Sequence, residues 1–151
     1  MLHKITTQLV SHLGSYNIDT VIFGHNIGQK QDINLGKVIN QNFVQIPFTQ
    51  LITQLQYRCR LRGIRFIVTE EAHTSKCSFL DKESVEHHTK YKGKRVKRGL
   101  FRTSKGIFIN ADVNGSLNIG RKYLTKLGLY TDKLNQRLVQ FMVNPQLVSF
   151  I

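Results

Sequence analysis

Carboxylates are scarce in this sequence: nine Asp and Glu stand against 22 Lys and Arg in 151 residues, a formal charge of +13. A chain so one-sided gains affinity for polyanions by displacing counterions from phosphates. The plain alternative is a solvated basic surface. Cysteine is rarer still, with two residues. Cys59 and Cys77 exclude a disulfide framework, or a four-cysteine zinc site, built by this chain alone. No apolar run approaches the ~18 residues of a membrane span, so none is expected. Met1-Leu2-His3-Lys4 begins nothing like a secretory signal. Internal repeats and low-complexity segments are also missing. What is there is one ordinary domain's length with 40% hydrophobic residues, enough for a real core. The composition therefore points to a soluble, intracellular chain that faces nucleic acid.

The positive charge is concentrated. Between Lys90 and Lys126 lie Lys90, Lys92, Lys94, Arg95, Lys97, Arg98, Arg102, Lys105, Arg121, Lys122 and Lys126, opposed only by Asp112. Residues 1–45 hold three Lys and two Asp and are nearly neutral. This divides the chain into a scaffold half and a polyanion-facing half.

Leu2, Ile5, Leu9, Val10 and Leu13 recur at helical spacing, with Gly14 as the expected stop. Thr20-Val21-Ile22-Phe23 is apolar and β-branched and reads as a buried strand ending at Gly24. Residues 25–45, with Gly28, Gly36 and many Asn and Gln, read as a long polar loop. Pro47 suits a first helical turn, followed by the stripe Phe48, Leu51, Ile52, Leu55, Cys59 and the terminator Gly63. Ile64–Thr69 is the second strand. A strand, a helix and a strand in this order imply a parallel, right-handed pair and an α/β fold. Residues 82–97 read as a flexible basic loop. Residues 98–102 and 106–109 read as a hairpin around Ser104-Lys105-Gly106. Asn110 is the expected cap of a helix carrying Val113, Leu117 and Leu124 on one side. Thr131 caps a last helix through Leu134, Leu138 and Phe141, before Pro145 and an apolar tail.

In so basic a chain the carboxylates that remain are informative. Glu70 and Glu71 follow the second strand, at the end where open α/β sheets place their chemistry. Asp112 opens a helix. Hard cations such as Mg²⁺ take carboxylate oxygens together with substrate phosphate oxygens, and a pair of them can clamp both oxygens of a phosphodiester displacement. Without any metal, Glu71 suits a loop cap and Asp112 suits the helix dipole. His87-His88 has no cysteine partner at zinc spacing and reads as solvated surface. His25 has a structural polar reading. Cys77 has no nominated base, and Gly24-His25-Asn26-Ile27-Gly28 is too loose for a phosphate loop.

Three stretches carry a resemblance. They are Glu71-Ala72-His73-Thr74-Ser75-Lys76-Cys77-Ser78, Arg98-Gly99-Leu100-Phe101, and Ile109-Asn110-Ala111-Asp112-Val113-Asn114-Gly115-Ser116-Leu117-Asn118-Ile119. Together with Gly24-His25-Asn26, Asn42-Phe43-Val44 and Pro47, they make the chain similar, over roughly residues 3–122, to the C-terminal part of the TnpB (OrfB) transposase family of insertion sequences. The resemblance implies an RNase H-like RuvC nuclease domain, RNA-guided cleavage of DNA in transposition and DNA recombination, and kinship with type V CRISPR effectors.

By position, Asp112 corresponds to the last catalytic aspartate of that family. The middle glutamate ordinarily follows the first strand, where this chain has Gly24. In the subgroup that the chain resembles, a glutamate ahead of the Thr74-Ser75-Lys76 element substitutes, which implies Glu71, with Glu70 as second choice. The first aspartate sits in a Gly-x-Asp-x-Gly setting, and nothing before Thr20 matches it. The paired zinc-ribbon cysteines are replaced by a basic loop and hairpin, so zinc is not expected.

The implied arrangement is a partial RuvC-like α/β core at 1–81, the insertion at 82–109 and a C-terminal helix and tail at 110–151. Its metal would be Mg²⁺ or Mn²⁺ on Glu71 and Asp112. Lys76, Lys94, Arg95, Lys97, Arg98, Arg102, Lys105, Arg121 and Lys122 would contact DNA or a guide RNA in the prokaryotic cytoplasm and nucleoid, away from any membrane. A RuvC sheet without its first strands leaves an apolar edge unpaired, so the chain reads as a shortened reading frame, unable to cleave DNA without its N-terminal part. A basic DNA- or RNA-binding remnant without chemistry is the competing expectation. A ribosomal- or chromatin-type protein would leave the 109–119 element unexplained.

Overall fold

A computed structural model describes residues 2–26 and 48–142, the side chains of 141 and 142 aside. The polar loop expected over 25–45 lies, beyond Asn26, outside these residues, as do Gly28, Pro47, Pro145 and the apolar tail. The described residues form two compact units, 2–23 with 48–68 and 24–26 with 69–142. The division falls after Phe23 and after Val68.

In the first unit, α1 (Leu2–Ser15) and α2 (Phe48–Leu61) pack beside the strands β1 (Thr20–Gly24) and β2 (Arg65–Thr69). Val10, Leu55, Cys59 and Ile64 are its buried centre, flanked by Leu9, Leu13, Val21, Leu51 and the stacked pair Phe23–Phe66. The helical and strand periodicities of the sequence therefore point these side chains to one core. The Ile64 amide donates to the Cys59 carbonyl and Gly63 sits at φ +70, the left-handed ending that glycine accepts without steric cost. The same ending closes α1 one residue group later than expected. The helix runs through Gly14, and Asn17 takes the left-handed position at φ 53. Asparagine tolerates it because it is short and polar.

β1 and β2 form a two-stranded sheet. The Arg65 amide donates to the Asp19 carbonyl at one end and the His25 amide to the Thr69 carbonyl at the other. Both bonds advance in the same chain direction, so the pair is parallel, as a helical crossover requires.

In the second unit, β3 (Lys94–Lys97), β4 (Leu100–Arg102) and β5 (Phe108–Asn110) form an antiparallel sheet in that order, followed by α3 (Ala111–Lys126) and α4 (Asp132–Met142). The β4–β5 hairpin turns through Ser104-Lys105-Gly106, with Gly106 at φ +80. β3 is a strand where a flexible loop was expected. Its four exposed residues carry three charges and no alternation to read, so only pairing with β4 defines it. Gly93, just before it, allows a close approach: a methyl group there would stand 2.4 Å from the Phe101 ring and 2.9 Å from the Arg102 carbonyl.

Asp81 ties the hairpin turn to the preceding loop. Its carboxylate accepts from the Ser104 amide at 2.8 Å and the Ser104 hydroxyl at 2.5 Å. Burial raises the Asp81 pKa, but the Ser104 hydrogen bonds and nearby Lys92 outweigh this and hold the carboxyl below its ordinary range. A carboxyl depressed on folding stabilises above its unfolded pKa, near 3.9, and that contribution vanishes as pH falls through the folded value. The urea midpoint of the chain is therefore expected to drop as pH falls below about 4. Asp81→Asn should be less stable at pH 7 and show a shallower acid slope; an unchanged slope would refute the assignment.

Candidate functional site

Two carboxylates, a buried polar helix face and a basic sheet lie in the second unit. The helix comes first. Asn110, at φ −63 and ψ 130, caps α3 by accepting from the Asp112 and Val113 amides at 2.8 and 3.1 Å. This fixes Asp112 in the first turn, where the positive end of the helix dipole favours a carboxylate. The Asp112 side chain is 86% exposed and faces Arg95 at 3.5 Å.

Glu71 is held from two sides. Its amide donates to Asn26 Oδ1 at 3.0 Å, and its carbonyl accepts from the Thr74 amide at 3.2 Å and the Thr74 hydroxyl at 2.7 Å. Its side chain passes over Gly24. A methyl group at Gly24 would stand 3.0 Å from Glu71 Cβ and Oε2, and 2.5 Å from Ile119 Cδ1. The Glu71 carboxylate thus lies against the place where residue 24 has no side chain. Ile119 and Asp112 are seven residues apart on α3, so they share one side of the helix roughly 10 Å apart along its axis. Glu70 is arranged differently. It is two-thirds exposed and pairs with Lys122 Nζ at 3.2 Å, and Lys122 also donates to the Ala72 carbonyl. β2 ends at Thr69, so both glutamates lie beyond the strand, and Glu71 opens the turn closed by Thr74.

Sequence reasoning missed the inner face of α3. The apolar residues Val113, Leu117 and Leu124, expected on the packed side, are only partly buried. The buried positions are Ala111, Asn114, Asn118 and Arg121. Asn114 Nδ2 donates to the Cys77 carbonyl at 2.9 Å, while its Oδ1 accepts from the Phe79 amide at 3.0 Å. Asn118 Nδ2 donates to the Thr74 and Cys77 carbonyls at 2.8 and 2.7 Å. Arg121 donates to Asn118 Oδ1 and to the Phe79 and Glu83 carbonyls, with its guanidinium over the Phe79 ring. The Glu83 carboxylate, itself buried, accepts from the Ser78 and Lys92 amides, each at 2.7 Å. These bonds clamp the loop from Thr74 to Glu83. The signal in the sequence was polar residues at helical spacing, 114, 118 and 121.

Arg121, expected to meet phosphate, is thereby corrected to a structural residue: it is 6% exposed and its donors are already engaged. Burial pushes its guanidinium below the ordinary arginine range, an effect the neighbouring Tyr130 partly offsets. Lys122 is committed to Glu70 and the Ala72 carbonyl. Burial pushes the Cys77 thiol up, so it keeps its proton, which points to the Glu86 carbonyl at 3.6 Å. His88 Nε2 lies 2.8 Å from the Ser84 carbonyl and the ring lies edge-on to Tyr91, while His87 lies edge-on to His73. These two histidines serve the loop's own packing.

The remaining cations gather on the sheet. Lys94, Arg95, Lys97 and Arg102 lie on β3 and β4, Arg98 on the turn between them and Lys105 on the next turn, and all are exposed. Lys76 is exposed on the clamped loop. Strand register places Lys94, Arg102 and Phe108 side by side in one row, and Arg95, Phe101 and Ile109 in the next. Successive residues of a strand face opposite ways. Phe101 is fully buried, so the Lys94–Arg102–Phe108 row belongs to the outer face.

Glu71 and Asp112 offer hard oxygens of the kind that Mg²⁺ or Mn²⁺ takes. Among the described residues, no three His, Cys, Asp or Glu side chains converge as a metal site, and no helix is long and apolar enough to cross a membrane. The pair suits such a cation in kind and falls short of the family's three carboxylates in number.

A search of the curated proteins found no match. Residues 48–119 match the family model described as Cas12f1-like, TNB domain. That stretch contains α2, β2, the clamped loop, the basic sheet and α3 through Ile119. It also includes most of the motifs through which the sequence resembles TnpB. The match is to a TnpB- and Cas12f-related domain, and it fits the similarity of the chain to the C-terminal part of TnpB.

Proposed function

We propose that this chain is the C-terminal, RuvC-like nuclease portion of a transposon-encoded TnpB/OrfB protein. It contributes to divalent-metal-dependent hydrolysis of DNA phosphodiesters under a guide RNA, in the prokaryotic cytoplasm. Its fold in this reading is a partial RNase H-like domain, with the basic loop and sheet in the position of a zinc ribbon. The observation that carries the reading is the Glu71 carboxylate lying against Gly24. Where the family's middle glutamate would project from residue 24, a side chain from the next loop fills the space. Asp112, at the head of α3, supplies the last carboxylate, and the first aspartate comes from a portion joined to this one.

Bound divalent cations would stabilise the attacking and leaving oxygens. The chain's own residues would do the rest. Asn26 and Thr74 fix the backbone of Glu71, and the Asn110 cap fixes that of Asp112. Lys94, Arg95, Lys97, Arg98, Arg102, Lys105 and Lys76 neutralise backbone phosphates without reading sequence. Arg95 pairs with Asp112 at 3.5 Å; ion pairs at such exposure are weak, about 0–1 kcal/mol, so this one would not keep Asp112 from holding a cation.

The test is complementation. The chain is mixed with, or fused to, a TnpB-family N-terminal portion carrying the first aspartate, its guide RNA and a target duplex. Cleavage that requires Mg²⁺ or Mn²⁺ and vanishes in Asp112→Ala is the expected result. The exposure of Asp112 and its pairing with Arg95 favour a second reading, a catalytically inactive DNA- or RNA-binding remnant. That reading predicts salt-sensitive binding with no cleavage in any combination.

A further inference from the structure

A groove of about 640 Å³ opens in the first unit between α2 and β2. Its helix wall includes Gln56, Tyr57 and Arg60, and its strand wall Ile64, Arg65 and Phe66. The strand has an unused edge. The Arg65 amide and the Thr69 carbonyl both bond toward β1, and the backbone groups of successive strand residues point to alternate sides. The amides and carbonyls of Phe66 and Val68 therefore face away from β1, and among the described residues no further strand pairs with β2. Open edges are ordinarily blunted by lysine, proline or a covering element. Phe66-Ile67-Val68 carries neither residue. Val68 is 39% exposed, and Tyr57 and Leu61 of α2 are 63% and 67% exposed.

The charge of this groove is one-sided. Arg60 and Arg65 line it and no carboxylate does. Neither guanidinium has an ion-pair or hydrogen-bond partner among the described residues, whereas Arg58 and Arg62 lie against His3 and Ser11. From an open strand edge beside two unpaired cations, we infer that the groove docks an acidic, extended peptide segment of a partner protein. The segment adds a strand to β2, exchanging backbone hydrogen bonds with Phe66 and Val68. Its carboxylates meet Arg60 and Arg65, and its apolar side chains lie against Tyr57. Other occupants match only half of the groove. A nucleic acid would meet the guanidiniums but has no row of amides for the Phe66 and Val68 carbonyls. A second copy would pair edge to edge but would set four guanidiniums along one seam. Asp19 is the only carboxylate side chain among the described residues of this unit. The inference shares no residue with the proposed nuclease site and does not depend on it.

Fluorescence anisotropy of the full chain tests it, with a labelled peptide of alternating Glu and Val, about ten residues long, and its fully N-methylated counterpart. N-methylation keeps every charge and removes every amide donor, so it is expected to weaken binding roughly ten-fold. In nitrogen–proton NMR spectra, the Phe66 and Val68 amides should shift as the unmethylated peptide is added. Arg60→Ala with Arg65→Ala should weaken peptide binding and flatten its salt dependence. Lys4→Ala with Lys133→Ala, which removes the same charge elsewhere, should do neither. Circular dichroism of both variants reports the fold independently. Equal affinity for the methylated peptide, or amide shifts confined to the basic sheet, would overturn strand addition and leave only attraction between opposite charges. If the Arg60 and Arg65 variant loses affinity for oligo(dT) and keeps it for the peptide, the groove belongs to nucleic acid and the proposal fails. A mass that doubles with concentration in sedimentation, with Phe66 and Val68 shifting in the absence of peptide, would assign the edge to a second copy and overturn the proposal equally.

Discussion

Asn118→Ala is expected to cost about 2–3 kcal/mol of unfolding free energy, among the larger losses a surface-distant polar substitution gives. The amide of Asn118 is fully buried, donates to the Thr74 and Cys77 carbonyls and accepts from Arg121. Its truncation strands the Thr74 carbonyl without that donor. The Cys77 carbonyl retains Asn114. Arg121 keeps its two backbone acceptors but loses Asn118 Oδ1. An unsatisfied buried acceptor alone costs about 1–3 kcal/mol, and a buried charge short of a partner adds to it. Asn118→Asp keeps the acceptor for Arg121 but sets a carboxylate oxygen against the Thr74 and Cys77 carbonyls, so it should also be destabilising. Ser116→Ala, on the exposed side of the same helix, should stay within about 0.5 kcal/mol. Urea unfolding curves separate these cases. A cost for Asn118→Ala no greater than that of Ser116→Ala would mean that the loop from Thr74 to Glu83 is not held by α3.

The asparagines illustrate what could and could not be read in advance. The first unit was legible because its signals are local: apolar periodicity in α1 and α2, a β-branched run in β1, and a glycine where α2 must turn left-handed. The helix opened by Asn110 was equally plain, since a capping side chain and its amides are two and three residues apart. The identity of its buried face was not. Val113, Leu117 and Leu124 make the apolar stripe that periodicity rewards, yet the face packed against the loop is polar, because that loop presents backbone carbonyls and amides that must be paired. Hydrophobic patterning is blind to such an interface. The same blindness assigned Arg121 to solvent, since a cation in a basic run looks like its neighbours until its acceptors, 38 and 42 residues away in sequence, are known. β3 was hidden for a different reason: Lys94-Arg95-Val96-Lys97 has no intrinsic pattern, and its strand exists through β4. At the candidate site, the resemblance nominated Glu71, but its place against a residue with no side chain of its own is visible only in three dimensions.

That juxtaposition sets the second large expectation. In the complemented nuclease, Glu71→Gln should lower the cleavage rate at least 10³-fold, because removing one carboxylate from a metal-held phosphodiester site forfeits several kcal/mol of transition-state stabilisation. The substitution is nearly isosteric, and the Glu71 backbone bonds to Asn26 and Thr74 persist, so the loop should keep its place. Glu70→Gln should leave the rate within a few-fold. Its carboxylate is paired with Lys122, and an exposed pair of this kind contributes at most about 1 kcal/mol. The more demanding arm transplants the carboxylate. Gly24→Glu with Glu71→Gly places a glutamate on the strand position that the family ordinarily uses and clears the side chain that now abuts it. Ile119→Ala relieves the 2.5 Å approach of its Cδ1. Partial recovery of divalent-dependent cleavage in that triple variant, over Glu71→Gly with Ile119→Ala alone, would show that one site accepts its middle carboxylate from either chain position. Full activity of Glu71→Gln, with loss in Glu70→Gln, would instead assign the role to Glu70 and require Lys122 to release it.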